Sequence, residues 1–269
     1  MPVSLLDSFV GTAAVTVLLG TLVGGVGRVT GEYAVSGSGS SVWPVSADGV
    51  DVSGMRVSYG GSGTGGLTPD SLSGEPVWLD LFERWLAEGV SAQIPEPNAM
   101  VVATVDAEGV PATRTVLCKG VDPRGIVFYT NHDSDKGRAI ATNPVASATF
   151  PWIAMERQVH FRGPVTQVSR EETRAYWTTR PRGSQLGAIA SHQSHPIASR
   201  AALEEQAADV ARRVGGVDGD TPIDVPENWG GYLVAPTVVE FWQGGANRLH
   251  DRVRAALVDG RWDVTRLQP

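Results

Sequence analysis

The sequence predicts a mainly β fold with flanking helices, of the α+β class, in which antiparallel strands form a barrel. Two observations support this: short apolar runs recur between turn residues beyond residue 98, and two amphipathic helices with clear start residues interrupt them. With 269 residues, 42% of them hydrophobic and 19% charged, the composition is that of an ordinary globular protein. Several strands at such short spacing are typical of an antiparallel barrel.

The amino-terminal part differs in composition from the rest. The first 66 residues hold 15 of the 32 glycines, and Arg28 is the only basic residue through residue 54. Residues 9–27 carry no charge over a length near that of a membrane span, but five glycines interrupt them and no basic residue precedes them. We interpret residues 1–54 as a disordered extension, or as codons upstream of a true start at Met55. A membrane anchor is the less favoured alternative.

From residue 77 onward a helix comes first and strands follow. Residues 77–90 place apolar side chains at helical spacing, which predicts a surface helix with one apolar stripe. The stripe consists of Leu79, Leu81, Phe82, Trp85 and Leu86. Five strand-like runs bounded by turn residues come next, at residues 99–105, 112–121, 126–131, 146–152 and 157–168.

Two further helices and a final set of strands complete the pattern. Ser169 and Glu172 form a capping box, which predicts a helix that ends before Pro181. Residues 199–214 predict an amphipathic helix of about four turns. Its apolar face consists of Leu203, Ala207, Val210 and Val214. Strands return at residues 231–244, after a predicted Gly-Gly turn that follows Trp229, and in a hairpin over residues 252–267 with Asp259-Gly260 as its turn.

Charge and motif content exclude several classes of function. A net charge of -7 and a pI near 5.2 argue against a nucleic-acid binder, which needs a basic surface. Cys118 is the single cysteine, so neither an internal disulfide nor a cysteine-rich zinc site is expected, and a cytoplasmic location is our expectation. The sequence has no metal-ligand spacing, Walker loop, dinucleotide-binding glycine motif or GxSxG elbow, so we expect no metal.

What remains is a set of cations and aromatic residues on or beside the predicted strands and helices. Arginine and lysine bind phosphate, and aromatic rings cover a planar heterocycle, so this set suits a phosphorylated aromatic ligand. Taken alone, the composition favours the plainer interpretation that most of these cations are solvated partners of the 29 acidic residues. The members are Arg114, Lys119, Lys136, Arg180, Arg182, Arg248 and Arg252, with Tyr129, Tyr176, Trp177 and Trp242.

The order of these residues resembles the pyridoxine (pyridoxamine) 5'-phosphate oxidase family from residue 55 to the end. RPRGSQ at 180–185, and EFWQG at 240–244 followed by RLHDR at 248–252, are the most specific likenesses. Residues 55–67 are similar to the family's substrate-covering segment, whereas residues 1–54 have no counterpart. The other likenesses are EPNAMVVATVD at 96–106, RTVLCK at 114–119, VFYTN at 127–131, ERQVHFRG at 156–163, YWTTRPRGSQLGA at 176–188, SHQSHPIASR at 191–200, NWGGY at 228–232 and RLQP at 266–269.

The resemblance implies an FMN-binding split β-barrel that forms a homodimer with FMN at the subunit interface. It implies oxidation of pyridoxamine 5'-phosphate, and of pyridoxine 5'-phosphate, to pyridoxal 5'-phosphate, with dioxygen as acceptor and hydrogen peroxide as product. Residues 55–76 would be the substrate-covering segment. Residues 77–269 would be the oxidase domain with its carboxy-terminal dimerisation region.

Residue roles follow from the resemblance position by position. The FMN site would comprise Arg114, Thr115, Val116, Leu117, Cys118, Lys119, Tyr129, Thr130, Lys136, Gln158, Gln193, Ser194, Trp242 and Arg252. The substrate site would comprise Arg56, Tyr59, Lys119, Tyr176, Arg180, Ser184, Arg248, Leu249 and His250. Arg248 and His250 would be catalytic. We expect them to orient the substrate ring for hydride transfer to flavin N5, with His250 either relaying a proton or making a structural hydrogen bond.

Three departures from the family's pattern mark where its properties are in doubt. Asp135 stands where the family often has an arginine on the flavin phosphate, so we expect Asp135 to point to solvent and FMN to bind more weakly. Ile189 replaces a tryptophan, which removes an aromatic wall near the flavin. Val57 and Ser58 replace a basic and acidic pair in the covering segment, so substrate closure is expected to differ.

Two alternatives from other classes stay open. One is a different reductase on the same barrel that uses a flavin or deazaflavin, and it predicts activity without pyridoxamine 5'-phosphate. The other is a non-catalytic carrier of flavin or pyridoxal 5'-phosphate, and it predicts tight binding with negligible peroxide formation.

Overall fold

The computed structural model describes residues 45–46, 49–50, 58–60 and 66–269. The chain divides into two units, Met1–Arg56 and Val57–Pro269. In the first, a small antiparallel hairpin joins β1 (Val45–Ser46) and β2 (Gly49–Val50). The predictions for Met55, Arg56, Val57 and residues 9–27 lie outside the described residues. Within the described part, no helix is both long and apolar enough to span a bilayer.

The second unit follows the predicted order of helices and strands. Short 3₁₀ turns also occur at Pro69–Ser71, Ile153–Met155 and Ala246–Arg248. The elements are α1 (Leu79–Ser91), β3 (Ala99–Val105), β4 (Pro111–Leu117), β5 (Gly120–Asp122), β6 (Gly125–Asn131), α2 (Asp135–Thr142), β7 (Val145–Trp152), β8 (Arg157–Gln167), α3 (Arg170–Thr179), α4 (Arg182–Ala190), α5 (Arg200–Arg213), β9 (Trp229–Val234), β10 (Val238–Gln243), β11 (Asp251–Val258) and β12 (Arg261–Leu267).

All strand pairs of this unit are antiparallel, and β8 joins its two parts. One path of neighbours runs β12-β11-β10-β8-β7-β3-β4, while β9 pairs with both β8 and β6. The first part of β8 pairs with β10, and its last residues pair with β9. The change of partner occurs at Gly163, where a Cβ atom would collide with the carbonyl oxygen of Ala235. The barrel strands and the β10–β12 extension therefore share one continuous sheet.

The main core lies between α1 and the sheet. Strand β3 alternates between buried and half-buried residues, as expected for a strand with one face on a core. The Phe82 ring on α1 meets the rings of Phe150 and Phe161 edge to face, at centroid distances of 4.9 and 5.0 Å. Trp85 meets Phe241 in the same way at 5.4 Å. The predicted apolar stripe of α1 is therefore confirmed as a packing surface.

A second, smaller core lies among α3, α4, α5 and β9. Its buried members are Trp177, Leu186, Ile223 and Trp229. Helix α5 contributes only half-buried side chains, among them Val210 from the predicted apolar face, and Val214 of that face follows the last residue of the helix. This core packs the helices against β9, next to the site described below.

The mainly β, antiparallel fold is confirmed, but three local predictions are wrong. Residues 112–121 are not one strand: the chain leaves β3 after Leu117, and Lys119 donates its N–H to Val127 on β6. Helices α2 and α4 have no counterpart among the predicted elements. Gly230 and Gly231 lie inside β9, not in a turn, because the rings of His132 and Tyr129 pack where Cβ atoms would be.

Candidate active site

A cavity of about 640 Å³ opens between β4, β6, the start of α2 and the α3–α4 region. We name it the cation cavity, because the described residues of its wall include four basic side chains and no carboxylate. It is lined by Arg114, Thr115, Val116, Leu117, Lys119, Tyr129, Thr130, Asn131, Lys136, Tyr176, Arg180, Ser184, Gly187, Ala188, Ser191, Gln193, Ser194 and Trp229.

Lys136 is the most enclosed cation of the cavity. Ser134 caps α2 by accepting the N–H of Gly137, which places Lys136 in the first turn with 7% of its surface exposed. Its Nζ lies 3.0 Å from Gln193 Oε1 and 3.2 Å from Thr130 Oγ1, both neutral oxygens. Burial, with the charge of Arg114 as a smaller cause, lowers the pKa of Lys136 to about 8. A buried ammonium with only neutral partners favours an anionic ligand.

Arg114 is fixed on β4 by hydrogen bonds to β3 and to its own strand. Its Nη1 donates to Thr104 Oγ1 at 2.7 Å and to the carbonyl oxygens of Val102 and Ala112. These acceptors are again neutral, and burial lowers the pKa of Arg114 below its ordinary value. Its positive charge is therefore held at the wall without a carboxylate partner among the described residues.

Arg180 and Tyr176 form another part of the wall, near Ser184. Arg180 follows the last turn of α3, and its Nη2 donates to the carbonyl oxygen of Ser184 at 3.0 Å. Its Nη1 is buried and has no hydrogen-bond partner in the part of the chain that the structure describes. The Tyr176 ring stacks on Tyr129 at a centroid distance of 4.0 Å. A donor left free beside two phenols and a hydroxyl suits a phosphate group.

Asp135 turns away from the cavity, as predicted. Its side chain is 64% exposed and pairs with Arg138 at 2.5 Å, one turn along α2. Ile189 is absent from the cavity wall and packs in the second core instead. The first departure from the family's pattern therefore leaves no negative charge inside the cavity. The expected effect on FMN affinity stays a prediction.

A second group of predicted residues lies on β8, β10, the start of β11 and the loop before it, together with Tyr59 from the segment before α1. We name Tyr59, Gln158, Trp242, His250 and Arg252 the aromatic face. Tyr59, Gln158 and Trp242 line a separate cavity of about 200 Å³. The Tyr59 ring meets Trp242 and His250 edge to face, at centroid distances of 5.7 and 5.5 Å. The face thus presents three rings, one amide and one arginine, whereas the cation cavity carries four basic side chains.

His250 makes a structural hydrogen bond, which is one of the two roles that the sequence left open for it. The Gly245 N–H donates to His250 Nδ1 at 3.1 Å. Because a backbone N–H can donate only to an unprotonated ring nitrogen, the neutral ring carries its proton on Nε2. The bond fixes the imidazole and leaves Nε2 as its donor.

Arg252 lies opposite Trp242 in the β10–β11 register, and its charge is matched. Its Nε and Nη2 donate to Glu240 Oε1 at 2.9 and 2.6 Å, and its Nη1 donates to the Gln268 carbonyl. Arg254 donates to the other carboxylate oxygen of Glu240. Although burial acts to raise the pKa of Glu240, these arginine hydrogen bonds lower it.

Arg248 and Leu249 occupy an exposed turn between β10 and β11. Asn247 and Arg248 have φ of 55° and 64°, in the left-handed region that non-glycine residues rarely adopt. The Leu249 N–H closes the turn on the Ala246 carbonyl, and its side chain is 74% exposed. Such strain is a common property of functional turns.

The predicted site residues therefore fall into two groups, and no residue lines both cavities. Along the sheet path, β4 and β10 are separated by β3, β7 and β8, which is about 19 Å at ordinary strand spacing. Cys118 lines neither cavity: its thiol is buried, which raises its pKa to about 11, and it donates to the Gly120 carbonyl. Arg182 donates hydrogen bonds to three backbone carbonyl oxygens in the segment that follows α5, so its role is structural.

The sequence missed several residues that the structure brings to these cavities. Trp229 entered the sequence-based predictions only as the residue before a Gly-Gly turn, yet it packs in the second core and lines the cation cavity. Glu156 lines the smaller cavity and accepts the N–H of Gly60. The sequence could not indicate Trp229, because an aromatic residue before two glycines is no sign of a ligand. Glu156 could have been found, because it stands two residues before the predicted Gln158. Asn131, Gly187, Ala188 and Ser191 lie in or between the matching motifs.

Comparison with protein families gives two matches. Residues 86–213 match the model described as "Pyridoxamine 5'-phosphate oxidase". Residues 229–269 match the "Pyridoxine 5'-phosphate oxidase C-terminal dimerisation region". The first range contains the lining residues of the cation cavity other than Trp229, and the second contains Trp229 and most of the aromatic face.

Curated relatives cover nearly the same part of the chain. A pyridoxine/pyridoxamine 5'-phosphate oxidase of Mycolicibacterium smegmatis is 57% identical over 222 residues, which is 81% of this chain and 94% of the relative. A protein of the same name from Rhodococcus jostii is 52% identical, over 81% of this chain and 99% of the relative.

Solved structures share the fold. PhzG from Burkholderia lata, in complex with tetrahydrophenazine-1-carboxylic acid, is 30% identical with a TM-score of 0.70, over 78% of this chain and all (100%) of that one. A pyridoxamine 5'-phosphate oxidase-related, FMN-binding protein from Nostoc punctiforme has a TM-score of 0.59 at 20% identity, over 71% of this chain and 97% of that one. The second likeness supports the fold alone.

Proposed function

The chain belongs to the pyridoxine/pyridoxamine 5'-phosphate oxidase family, and from this premise we propose that it oxidises pyridoxamine 5'-phosphate with FMN and dioxygen. The reaction consumes the amine, dioxygen and water, and it yields pyridoxal 5'-phosphate, ammonia and hydrogen peroxide. Pyridoxine 5'-phosphate is the proposed second substrate. We place the enzyme in the cytoplasm, in keeping with its single, buried cysteine.

The observation that carries this proposal is the charge of the cation cavity. Four cations line it without a carboxylate, Lys136 is buried among neutral oxygens, and Arg180 keeps a buried donor free. Such a wall is costly unless an anion occupies it. Two phosphate groups, one from a cofactor and one from a substrate, would satisfy it.

These residues fit FMN and a phosphorylated pyridine. Lys136, Arg114 and Thr130 would hold the flavin phosphate, with Gln193 and Ser194 beside them. Arg180, Tyr176, Ser184 and Lys119 would hold the substrate phosphate. Cations and hydroxyls are the groups that proteins use for phosphate dianions.

The aromatic face would complete the site from the partner subunit. The match to the family's dimerisation region supports a homodimer. In a two-fold symmetric dimer, the aromatic face of each chain can meet the cation cavity of the other, which gives two equivalent sites. We propose that Gln158, Trp242 and Arg252 contact the flavin in this way, and that Tyr59 covers the substrate.

Positioning is the proposed contribution of the protein to catalysis. Bound FMN would accept a hydride from the substrate and pass the electrons to dioxygen. Arg248 would hold the pyridine ring in the orientation that the transfer requires. His250, fixed through Nδ1, would donate an Nε2–H hydrogen bond to a polar group of the ring. Burying the substrate phosphate against Arg180 would restrict its motion further.

The experiment is an oxidase assay in air. Wild-type protein with bound flavin is expected to release hydrogen peroxide and pyridoxal 5'-phosphate only when pyridoxamine 5'-phosphate is added. Arg248→Ala is expected to lower kcat about a hundredfold, because orientation contributes several kcal/mol to such steps. Arg174→Ala, an exposed arginine on α3, is the control. Flavin binding without peroxide would support a carrier, and turnover with another electron donor alone would support a reductase; either outcome would contradict the proposal.

A further inference from the structure

We propose that Trp229 and Trp177 are positioning residues that aim the Arg180 guanidinium at the substrate phosphate, and thereby set the preference for phosphorylated substrates. The proposal rests on the proposed function. It assigns a role to two tryptophans that pack in the second core of the structure.

The guanidinium of Arg180 lies in a corner between the two indole rings. Its Cζ is 4.6 Å from the Trp229 ring centroid and 5.1 Å from that of Trp177. The two rings are inclined by 67°, with centroids 4.7 Å apart. Both distances are within the range of cation–π contacts, so two faces of different orientation hold one planar cation.

Each ring is itself fixed. Trp177 Nε1 donates to the Ile223 carbonyl at 2.7 Å, and both tryptophans are almost fully buried. Trp229 begins β9, and its carbonyl accepts Nη1 of Arg170 at 2.8 Å. The corner is therefore a rigid wall, unlike a contact between exposed side chains.

The two indole rings hold the Arg180 guanidinium without accepting its N–H groups. Among the described residues, no carboxylate lies within ion-pair distance of Arg180. Its Nη2 donates to the Ser184 carbonyl, and its Nη1 is buried without a partner. A carboxylate in place of the rings would neutralise the charge and compete with phosphate for the donors. The tryptophans keep both the charge and the Nη1 donor available to a ligand.

The Trp229 ring also forms part of the cavity wall. Trp229 and Arg180 both line the cation cavity, together with Tyr176 and Ser184. The position of the guanidinium within this wall thus depends directly on the Trp229 side chain. The flavin-phosphate residues Lys136 and Thr130 have hydrogen bonds of their own and do not depend on it.

The test compares Trp229→Leu with Trp229→Phe, which keeps an aromatic ring at this position. We measure kcat/KM for pyridoxamine 5'-phosphate and for unphosphorylated pyridoxamine, and the inhibition constant of inorganic phosphate. Trp229→Leu is expected to lower kcat/KM for the phosphorylated substrate about tenfold and to weaken phosphate inhibition similarly, in the range of one cation–π contact. The value for unphosphorylated pyridoxamine should fall by a smaller factor, so the ratio of the two kcat/KM values should fall. Flavin affinity is measured in parallel, because Trp229 also stacks on Tyr129 at a centroid distance of 5.5 Å. Trp229→Phe should stay near wild type.

Equal losses for both substrates, with phosphate inhibition unchanged, would overturn the proposal. In an Arg180→Ala background, Trp229→Leu should have no further effect on the substrate ratio, and a further effect would also contradict it. If Trp229→Leu does not fold, Trp229→Met, which fills a similar space without a ring, replaces it. A wild-type enzyme that fails to oxidise pyridoxamine 5'-phosphate would count against the proposed function, whereas unselective losses in the variants count only against the role of the tryptophans.

Discussion

The cation cavity and the aromatic face differ in how their charges are matched. In the cavity, Lys136 and Arg180 have only neutral partners, and one buried donor is free. On the face, both oxygens of Glu240 are occupied by Arg252 and Arg254. The first region therefore suits an added anion, while in the second the guanidinium of Arg252 already has a carboxylate partner. We propose from this difference that the cavity recognises charge and that the face orients a planar ring.

The largest expected effect comes from removing the buried charge of the cavity. Lys136→Met should weaken FMN binding about a hundredfold, because a hydrogen bond to a charged group contributes about 1.5–3 kcal/mol. Lys136→Arg keeps the charge and should lose far less. Titration of flavin fluorescence measures both. An unchanged affinity in Lys136→Met would mean that the cavity does not hold the flavin phosphate.

The same lysine predicts a pH dependence. Its pKa of about 8 in the free protein is below the ordinary 10.5, and a bound phosphate would raise it again. Below pH 8 the ammonium is already present; above it, binding must take up a proton, so FMN affinity should fall by up to about tenfold per pH unit. Burial raises the pKa of Tyr129 and Tyr176, so they stay protonated in this range.

Lys136→Arg is the control for this profile, since a guanidinium stays charged throughout. Its flavin affinity should be flat between pH 7.5 and 9.5. A decline as steep as that of the wild type would assign the effect to another group and not to Lys136.

A smaller effect is expected on the aromatic face. Glu240→Gln leaves one of two arginines without its carboxylate oxygen, and should lower the free energy of unfolding by about 1–2 kcal/mol, since both arginines are partly exposed. FMN affinity should fall only about threefold, through a less fixed Arg252. Chemical denaturation and flavin titration test this, with the exposed Glu205→Gln as control. A loss of flavin as large as in Lys136→Met would erase the distinction between the two regions.

Strand positions could be predicted from the sequence wherever alternation and turn residues agree, as in β3, β6 and the β11–β12 hairpin. The interruption of the predicted strand at Cys118 and Lys119 could not be predicted. At this point the backbone changes its hydrogen-bond partner from the β3 side to β6. Helix α2 is only eight residues long and contains glycine, so it shows no apolar period.

The residue types of the site could be predicted from the motifs, but not their grouping. The sequence order gives no sign that Gln158 and Trp242 line a cavity separate from that of Gln193 and Lys136. The role of Trp229 was hidden for another reason: one ring serves both core and cavity wall, and a packing pattern accounts for only the first.

We propose that one active site combines the cation cavity of one subunit with the aromatic face of the other. Arg180→Ala alters the cavity, and Arg248→Ala alters the turn that leads to His250 of the face. Chains with these two substitutions and different affinity tags are co-expressed, and the mixed dimer is isolated. Each parent variant should be nearly inactive, while the mixed dimer has one intact site and should recover about half of the wild-type kcat per dimer, as two-fold symmetry requires. A mixed dimer no more active than its parents would place both regions in a site within one chain and contradict the account.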